Sequence, residues 1–288
     1  MKVFVTGAEG FVGKKLVVRL KEGGNEVVAV DIVATPGSST IVADIKSRDI
    51  GKLIPEGVDA IIHLAGLTRT PDCQNKAYAC FEANVMATLN LIDAAEVRKA
   101  KQFIFASSEW VYGEWKDASV IKDEETSIDP HTLVGEYAFS KLVSEVNFRQ
   151  KFQHGFCPTT LLRFGIIYGP REKNWSAVES LFNAVKTQEE VKVGSLKTGR
   201  NFIHVDDIVT GIISSLGLNG FNIINLEGDK LVTLGNIIEA SKKILGKNPK
   251  VVETAADNYN LRNVSNAKAA RLIKFKPRFD LIEGLKTL

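Results

Sequence analysis

The chain has little cysteine, histidine or proline, with 3, 4 and 8 of them among 288 residues. Cys73, Cys80 and Cys157 form no Cys-x-x-Cys pair, and His63, His131, His154 and His204 stand apart. That spacing supports neither a zinc site nor a disulfide framework, so no metal is expected. Free thiols suit a reducing cytoplasm, and the protein is expected to be cytoplasmic. No apolar run approaches the roughly 18 residues that cross a bilayer, so no membrane span is expected. The opening Met1-Lys2-Val3-Phe4-Val5-Thr6-Gly7 reads as a first strand rather than a signal peptide. Charge of one sign is also missing: 37 basic and 34 acidic residues leave 37 − 34 = +3, scattered rather than striped, which argues against a nucleic-acid partner. With 44% apolar and 25% charged residues and no low-complexity run, an ordinary globular chain remains.

Short apolar runs alternate with longer helical patterns, as in a parallel sheet wrapped by helices. Strands are expected over 2–5, 26–31, 40–42, 60–64, 102–106 and 159–164. Helices are expected over 11–21, over 77–99 (Phe81, Val85, Leu89, Ile92 and Ala95 at helical spacing) and over 134–152. The fold class is α/β, a Rossmann-type doubly wound parallel sheet. After about Gly165 the rhythm changes. Helices are expected over 174–186, 206–216 and 234–245, and strands over 191–193, 201–203 and 221–225. This gives a dinucleotide-binding domain over 1–165 and a smaller C-terminal α/β lobe over 166–288, packed together because no linker separates them. Strands and helices can be shared between the two.

Thr6-Gly7-Ala8-Glu9-Gly10-Phe11-Val12-Gly13 stands where the first strand turns into the first helix. A dinucleotide pyrophosphate needs backbone N–H groups at a helix N-terminus with nothing bulky in the way. Gly7 permits the tight turn, Gly10 the approach of the phosphates, and Gly13 the contact of helix with strand. Asp31 closes the second strand, where a carboxylate accepts both ribose hydroxyls and repels a 2′-phosphate. Ile32 follows it, and no arginine does, so the expected cofactor is NAD rather than NADP. Asp44 and Ile45, after the third strand, can reach the adenine.

Tyr137 and Lys141 lie four apart on a helix and share a face. A free phenol, with a pKa near 10, is a poor base at neutral pH. A nearby ammonium and the nicotinamide's positive charge both favour the phenolate, so a lowered Tyr137 pKa is expected. Ser108, just after the fifth strand, can hold the same substrate hydroxyl. Tyr-x-x-x-Lys alone is a weak signal, because such pairs commonly just cover a surface.

With these motifs in order, the chain resembles the extended short-chain dehydrogenase/reductase family, the NAD-dependent epimerases and dehydratases that act on nucleotide sugars. Further carriers are His63-Leu64-Ala65-Gly66, Asn84-Val85, Phe105-Ala106-Ser107-Ser108, Val111-Tyr112-Gly113, Leu162-Arg163-Phe164-Gly165, Tyr168-Gly169-Pro170 and the segment from Arg200 to Asp207. The resemblance implies that NAD is held by Gly7, Gly10, Phe11, Val12, Gly13, Asp31, Ile32, Asp44, Ile45, Leu64, Ala65, Gly66, Asn84, Ala106, Ser107, Tyr137, Lys141, Phe164 and Gly165. It implies catalysis by Ser108, Tyr137 and Lys141, with Glu109 a further candidate. It implies substrate contacts from Thr68, Ser108, Glu109, Trp110, Tyr137, Ile166 and Arg200. Arg200 would grip a diphosphate in a bidentate way, or else make an ordinary salt bridge. A homodimer through the 77–99 and 134–152 helices is also implied.

Three positions leave the family pattern. Dehydratases carry Asp-Glu after the Ser/Thr, whereas this chain has Glu109-Trp110, which speaks against a two-carboxylate elimination. Trp110 can stack on a sugar or fill the lobe interface. Epimerases usually have Asn where Ile166 stands, and Arg69, Arg171 or Lys173 could serve phosphate instead. His63 and His204 read as packed residues, and Asp206-Asp207 as a helix cap. The leading expectation is a nucleotide-sugar 4-epimerase working through a transient 4-keto sugar. The alternative is a net dehydrogenase or reductase of a sugar or sugar nucleotide. A dehydratase or a non-catalytic NAD-binding regulator comes further behind.

Overall fold

A computed structural model describes residues 1–173 and 175–288, without the side chain of Thr70. Seven parallel strands form the central sheet: β1 (Lys2–Thr6), β2 (Glu26–Asp31), β3 (Ile41–Val42), β4 (Ala60–His63), β5 (Phe103–Ser108), β6 (Thr159–Phe164) and β7 (Phe221–Leu226), in spatial order 3-2-1-4-5-6-7. This is the doubly wound arrangement, and the order reverses between β1 and β4. Both faces of the sheet are covered, so central strands read as continuous apolar runs. Phe4, Ile61, Phe103 and Phe105 pack on one side, and Val3, Val5, Ile62 and Ile104 on the other.

Helix α1 (Phe11–Glu22) follows the glycine turn and buries Gly13, Leu16 and Leu20. The expected helix over 77–99 is present but not uniform. Ala77–Phe81 and α2 (Ala87–Val97) flank one wider π turn, Glu82–Met86, which carries Asn84. Such insertions cluster at functional sites because they re-aim side chains. Helix α3 (Gly135–Gln153) carries Tyr137 and Lys141.

The second half divides its elements between sheet and lobe. Strand β7 pairs with β6 over six residues, from Phe221 with Thr159 to Leu226 with Phe164. The lobe core joins α4 (Ala177–Thr187) and α6 (Leu234–Leu245) around Val178, Phe182, Val185, Ile237 and Ile238. The expected start of α4 at Asn174 lies outside the described residues. The helix begins at Ala177 behind a Ser176–Glu179 capping box. The strand expected over 201–203 is two short ones, Gly199–Arg200 and Ile203–His204, because Asn201 leaves the pairing to bond Gly228 and Val264. Helix α5 (Val205–Ser214) is capped by His204, whose Nδ1 accepts from Asp206 N at 3.3 Å. The Asp206-Asp207 pair is not the cap. Asp206 pairs with Lys15, and Asp207 accepts from the backbone of Arg278 and Phe279.

Candidate active site

The carboxyl ends of β1, β4, β5 and β6 meet where the strand order reverses. Gly7 has φ +73, and a Cβ there would stand 2.7 Å from Ala65 N. A Cβ on Gly13 would stand 2.0 Å from the Gly7 carbonyl oxygen. Both close approaches require glycine. Gly10 opens α1 with no side-chain cap hydrogen bond, so first-turn N–H groups are left for an anion. This bare cradle fits a pyrophosphate. Asp31 accepts from Glu9 N at 2.9 Å and Val33 N at 3.3 Å, fixing its carboxylate at the mouth of the turn. Ile32 is exposed beside it. Glu9 accepts from Thr35 and Thr40, which hold its pKa down at about 2 and tie the loop after β2 to the glycine turn.

Ile45 points into the core under β2 and β4, while Asp44 is half-exposed and accepts from Lys46 N. Leu64 and Ala65 are half-buried on the floor of the cleft, and Gly66 and Thr68 are open. The Asn84 carboxamide accepts from Leu67 N, donates to Leu67 O and donates to Ser140 Oγ. The π turn thereby ties the 64–68 loop to α3. His63 is neutral in this setting. It bridges Thr6 and Thr88, and burial drives its pKa down to about 3.

Ser108, Tyr137 and Lys141 come together at the end of β5, each with 8% or less of its surface exposed. The Ser108 hydroxyl lies close enough to the Tyr137 phenol to favour its phenolate, and it accepts from Trp110 N at 3.3 Å. Lys141 Nζ donates to Ala106 O at 2.8 Å and lies 6.0 Å from the centre of the Tyr137 ring. The expected lowering of the Tyr137 pKa is not present in the protein alone. Burial pushes the phenol up to about 12, against the opposing pull of Ser108. Burial likewise brings Lys141 down to about 8. The ammonium is spent on a carbonyl, so any lowering must come from a cationic nicotinamide.

Ser107 faces the other way, its Oγ donating to Glu145 Oε1 at 2.5 Å. Phe164 is buried at the end of β6. Gly165 leaves room for the Glu227 carboxylate, which would stand 2.0 Å from a Cβ there. Ile166 packs on the lobe core. Trp110 packs against Tyr137, Cys73, Cys80 and Leu67, and the Arg262 guanidinium stacks on its ring at 3.7 Å.

Glu109 has no exposed surface. It faces Glu227 and Arg262 rather than the cleft, and burial raises its pKa. Arg200 is nearly buried, with Nη1 on Gly199 O and Asn260 O and Nη2 on Asn260 and Glu114. Of the other candidate cations, Arg69 forks onto Asp72, and Arg171 pairs with Glu179 at 2.7 Å over the Phe11 ring. Lys173 is exposed. Sequence reasoning missed Glu145, Arg262 and Glu227. Glu145 alone left a signal, one turn beyond Lys141 on the same helix face.

Residues 3–225 match the family described as the NAD dependent epimerase/dehydratase family. The chain belongs to that family. The protein named Uncharacterized UDP-glucose epimerase YtcB, from Bacillus subtilis, is 29% identical over 99% of this chain and 96% of its own length. A putative UDP-glucose 4-epimerase of Methanocaldococcus jannaschii is 26% identical, over 99% and 96%. The solved structure of MoeE5 in complex with UDP-glucuronic acid and NAD superposes with a TM-score of 0.87 at 25% identity, covering 100% of this chain and 97% of that one. The residues above fit the family's cofactor, NAD: an uncapped glycine-lined helix start for the pyrophosphate and Asp31 for the ribose. Among the described residues, no helix is long and apolar enough to cross a membrane.

Proposed function

We propose that this chain is an NAD-dependent nucleotide-sugar 4-epimerase acting on a UDP-sugar. The observation that carries the reading is the gathering of buried Ser108, Tyr137 and Lys141 at the carboxyl end of β5, with Lys141 on Ala106 O and 6.0 Å from the Tyr137 ring centre, beside the glycine cradle. Membership of the epimerase/dehydratase family and relatives named for UDP-sugars support it.

Tyr137 takes the proton of the sugar C4 hydroxyl, and Ser108 orients that hydroxyl by sharing its hydrogen bond. Lys141 holds the ribose hydroxyls, and the positive charge of the bound nicotinamide favours the phenolate. Bound NAD supplies a reversible hydride acceptor. The 4-keto sugar turns within the cleft, and Tyr137 returns its proton when the other face of C4 is reduced. Net redox change is zero, so cofactor is retained through the cycle. Arg200 serves the substrate's phosphates, and Trp110 walls the sugar pocket on the face away from Arg262. Glu109, fully buried, supports the wall rather than touching substrate. The unit is a sheet domain with a substrate lobe, acting in the cytoplasm. It pairs as a homodimer through the helices that leave Tyr78, Met86, Phe139 and Val146 exposed.

A second reading, a net reductase of a sugar nucleotide, is favoured by Ile166 being built into the lobe core where epimerases commonly present a polar amide. The test is native mass spectrometry of the purified protein, followed by a panel of UDP-, GDP- and dTDP-sugars. Retained NAD and 4-epimerisation lost by about 10²–10⁴-fold in Tyr137→Phe are expected. Steady NADH turnover with freely exchanging cofactor would establish the second reading instead.

A further inference from the structure

Two buried guanidinium groups converge on a single carboxylate at the edge of the cleft. Arg262 Nη2 donates to Glu114 Oε1 at 2.8 Å, and Arg200 Nη2 reaches the same oxygen at 3.4 Å. Asn260 Nδ2 donates to the other oxygen, Oε2, at 2.9 Å. The Arg262 and Arg200 side chains are 0% and 8% exposed, whereas Glu114 is 24% exposed, so the acid stands on the open side of the pair.

The arginines are not fully partnered. Arg200 Nε and Arg262 Nη1 are buried with no hydrogen-bond acceptor. Burial and the neighbouring Arg262 charge pull the Arg200 guanidinium down to about 10, as expected where positive charge is in excess. Of the other acids near Arg262, Glu109 stands 3.6 Å from Nη1, and Glu227 lies in the same cluster with its pKa raised by burial.

We propose that Glu114 is an internal stand-in for the substrate's phosphates: it occupies the anion position between Arg200 and Arg262 in the resting protein and yields it to a diphosphate. The proposal rests on the nucleotide-sugar reading above. Its logic is electrostatic. Without Glu114 the two buried cations would share only Glu109, 3.6 Å from Arg262, and under-compensated buried charge is destabilising, so the empty site favours a second resident negative charge. A diphosphate carries more charge and more acceptor oxygens than one carboxylate and pairs with guanidinium forks in a bidentate way, so it can displace the side chain. Glu114 directly follows Gly113, whose φ is +72, and its partial exposure gives the side chain room to swing outward. The resident acid also sets a threshold. A free sugar or a weakly charged ligand gains too little to evict it.

The experiment is calorimetric titration of the full chain with UDP and, separately, with inorganic pyrophosphate, comparing wild type, Glu114→Gln and Glu114→Asp. Glu114→Gln keeps the shape and the Asn260 contact but removes the competing charge. It should bind both probes at least tenfold more tightly than wild type. Glu114→Asp keeps the charge on a shorter arm and should fall between them, which provides a folded comparison if the Gln variant is unstable. Equal or weaker binding by folded Glu114→Gln overturns the proposal. If UDP binds all three equally, the nucleotide reading stands and the stand-in fails. If only pyrophosphate binds, and more tightly after Glu114→Gln, the stand-in holds and the nucleotide reading fails.

Discussion

Glu145 and Arg163 form a forked ion pair behind the strand that ends at Ser108: Arg163 Nη2 donates to Glu145 Oε2 at 2.6 Å, and Nε donates to Oε1 at 3.0 Å. Ser107 donates to the same acid, and Arg163 Nη1 donates to Tyr112, which donates to Asn225 on β7. The network links β5, β6, β7 and α3, the elements that fix Ser108 and Tyr137. Breaking one partner of such a pair strands a buried charge at a cost of about 3–5 kcal/mol. Glu145→Gln and Arg163→Met should each lower the thermal midpoint. The double change Glu145→Leu/Arg163→Met should recover much of the loss, because no lone charge remains. Differential scanning calorimetry of the three variants checks this.

Gly13→Ala should abolish cofactor binding. Its Cβ would stand 2.0 Å from the Gly7 carbonyl oxygen and 2.9 Å from the Ala8 backbone, neither of which can move without opening the glycine turn. Loss of NAD from the purified variant, read by its absorbance and by mass, is the expected result.

Asp31→Asn should weaken NAD by about tenfold, the worth of a charge-assisted hydrogen bond, and narrow the preference over NADP. Asn keeps an oxygen for Glu9 N or Val33 N, so the turn should hold its shape. Fluorescence titration with both cofactors separates the loss of affinity from the change in preference.

Glu227 predicts a pH effect. Burial, with the Glu109 carboxyl alongside, raises its pKa well above 4.5. The folded protein therefore keeps a proton that the unfolded chain has released above that value. The stability contributed by this group is fully present below the unfolded pKa and is lost as pH rises toward the folded one. Glu227→Gln needs no proton, so its thermal midpoint should fall less between about pH 6 and about pH 8 than that of wild type. Parallel melting curves would sink the assignment.

The sheet was legible because its strands are buried on both faces and read as apolar runs. Thr159–Phe164 and Leu234–Leu245 fall where the pattern places them. The glycine turn, Asp31, Tyr137 and Lys141 were legible because each sits at a local landmark, a strand end or one helix turn. The cluster of Glu109, Glu227, Arg262, Arg200 and Glu114 was not. Its members lie up to 262 − 109 = 153 residues apart, and no periodicity announces a contact between segments so distant. The Tyr137 pKa also escaped, because proximity to Lys141 says nothing of how dry the phenol is or where the ammonium is spent. The π turn at Glu82–Met86 leaves the apolar spacing of its helix almost unchanged, so the pattern reads straight through it.

The pairing of β7 with β6 has a consequence for how the chain comes to be folded. All six residues of β6 are buried, and one of its two hydrogen-bonding edges is satisfied only by residues 221–226. A fragment ending near Gly165 would carry the glycine turn, Ser108, Tyr137 and Lys141, yet it would present a dry, unpaired strand edge of the kind that recruits other chains. The sheet built by the first 165 residues is extended across that edge by a strand the polypeptide supplies after it has passed out through the lobe and returned.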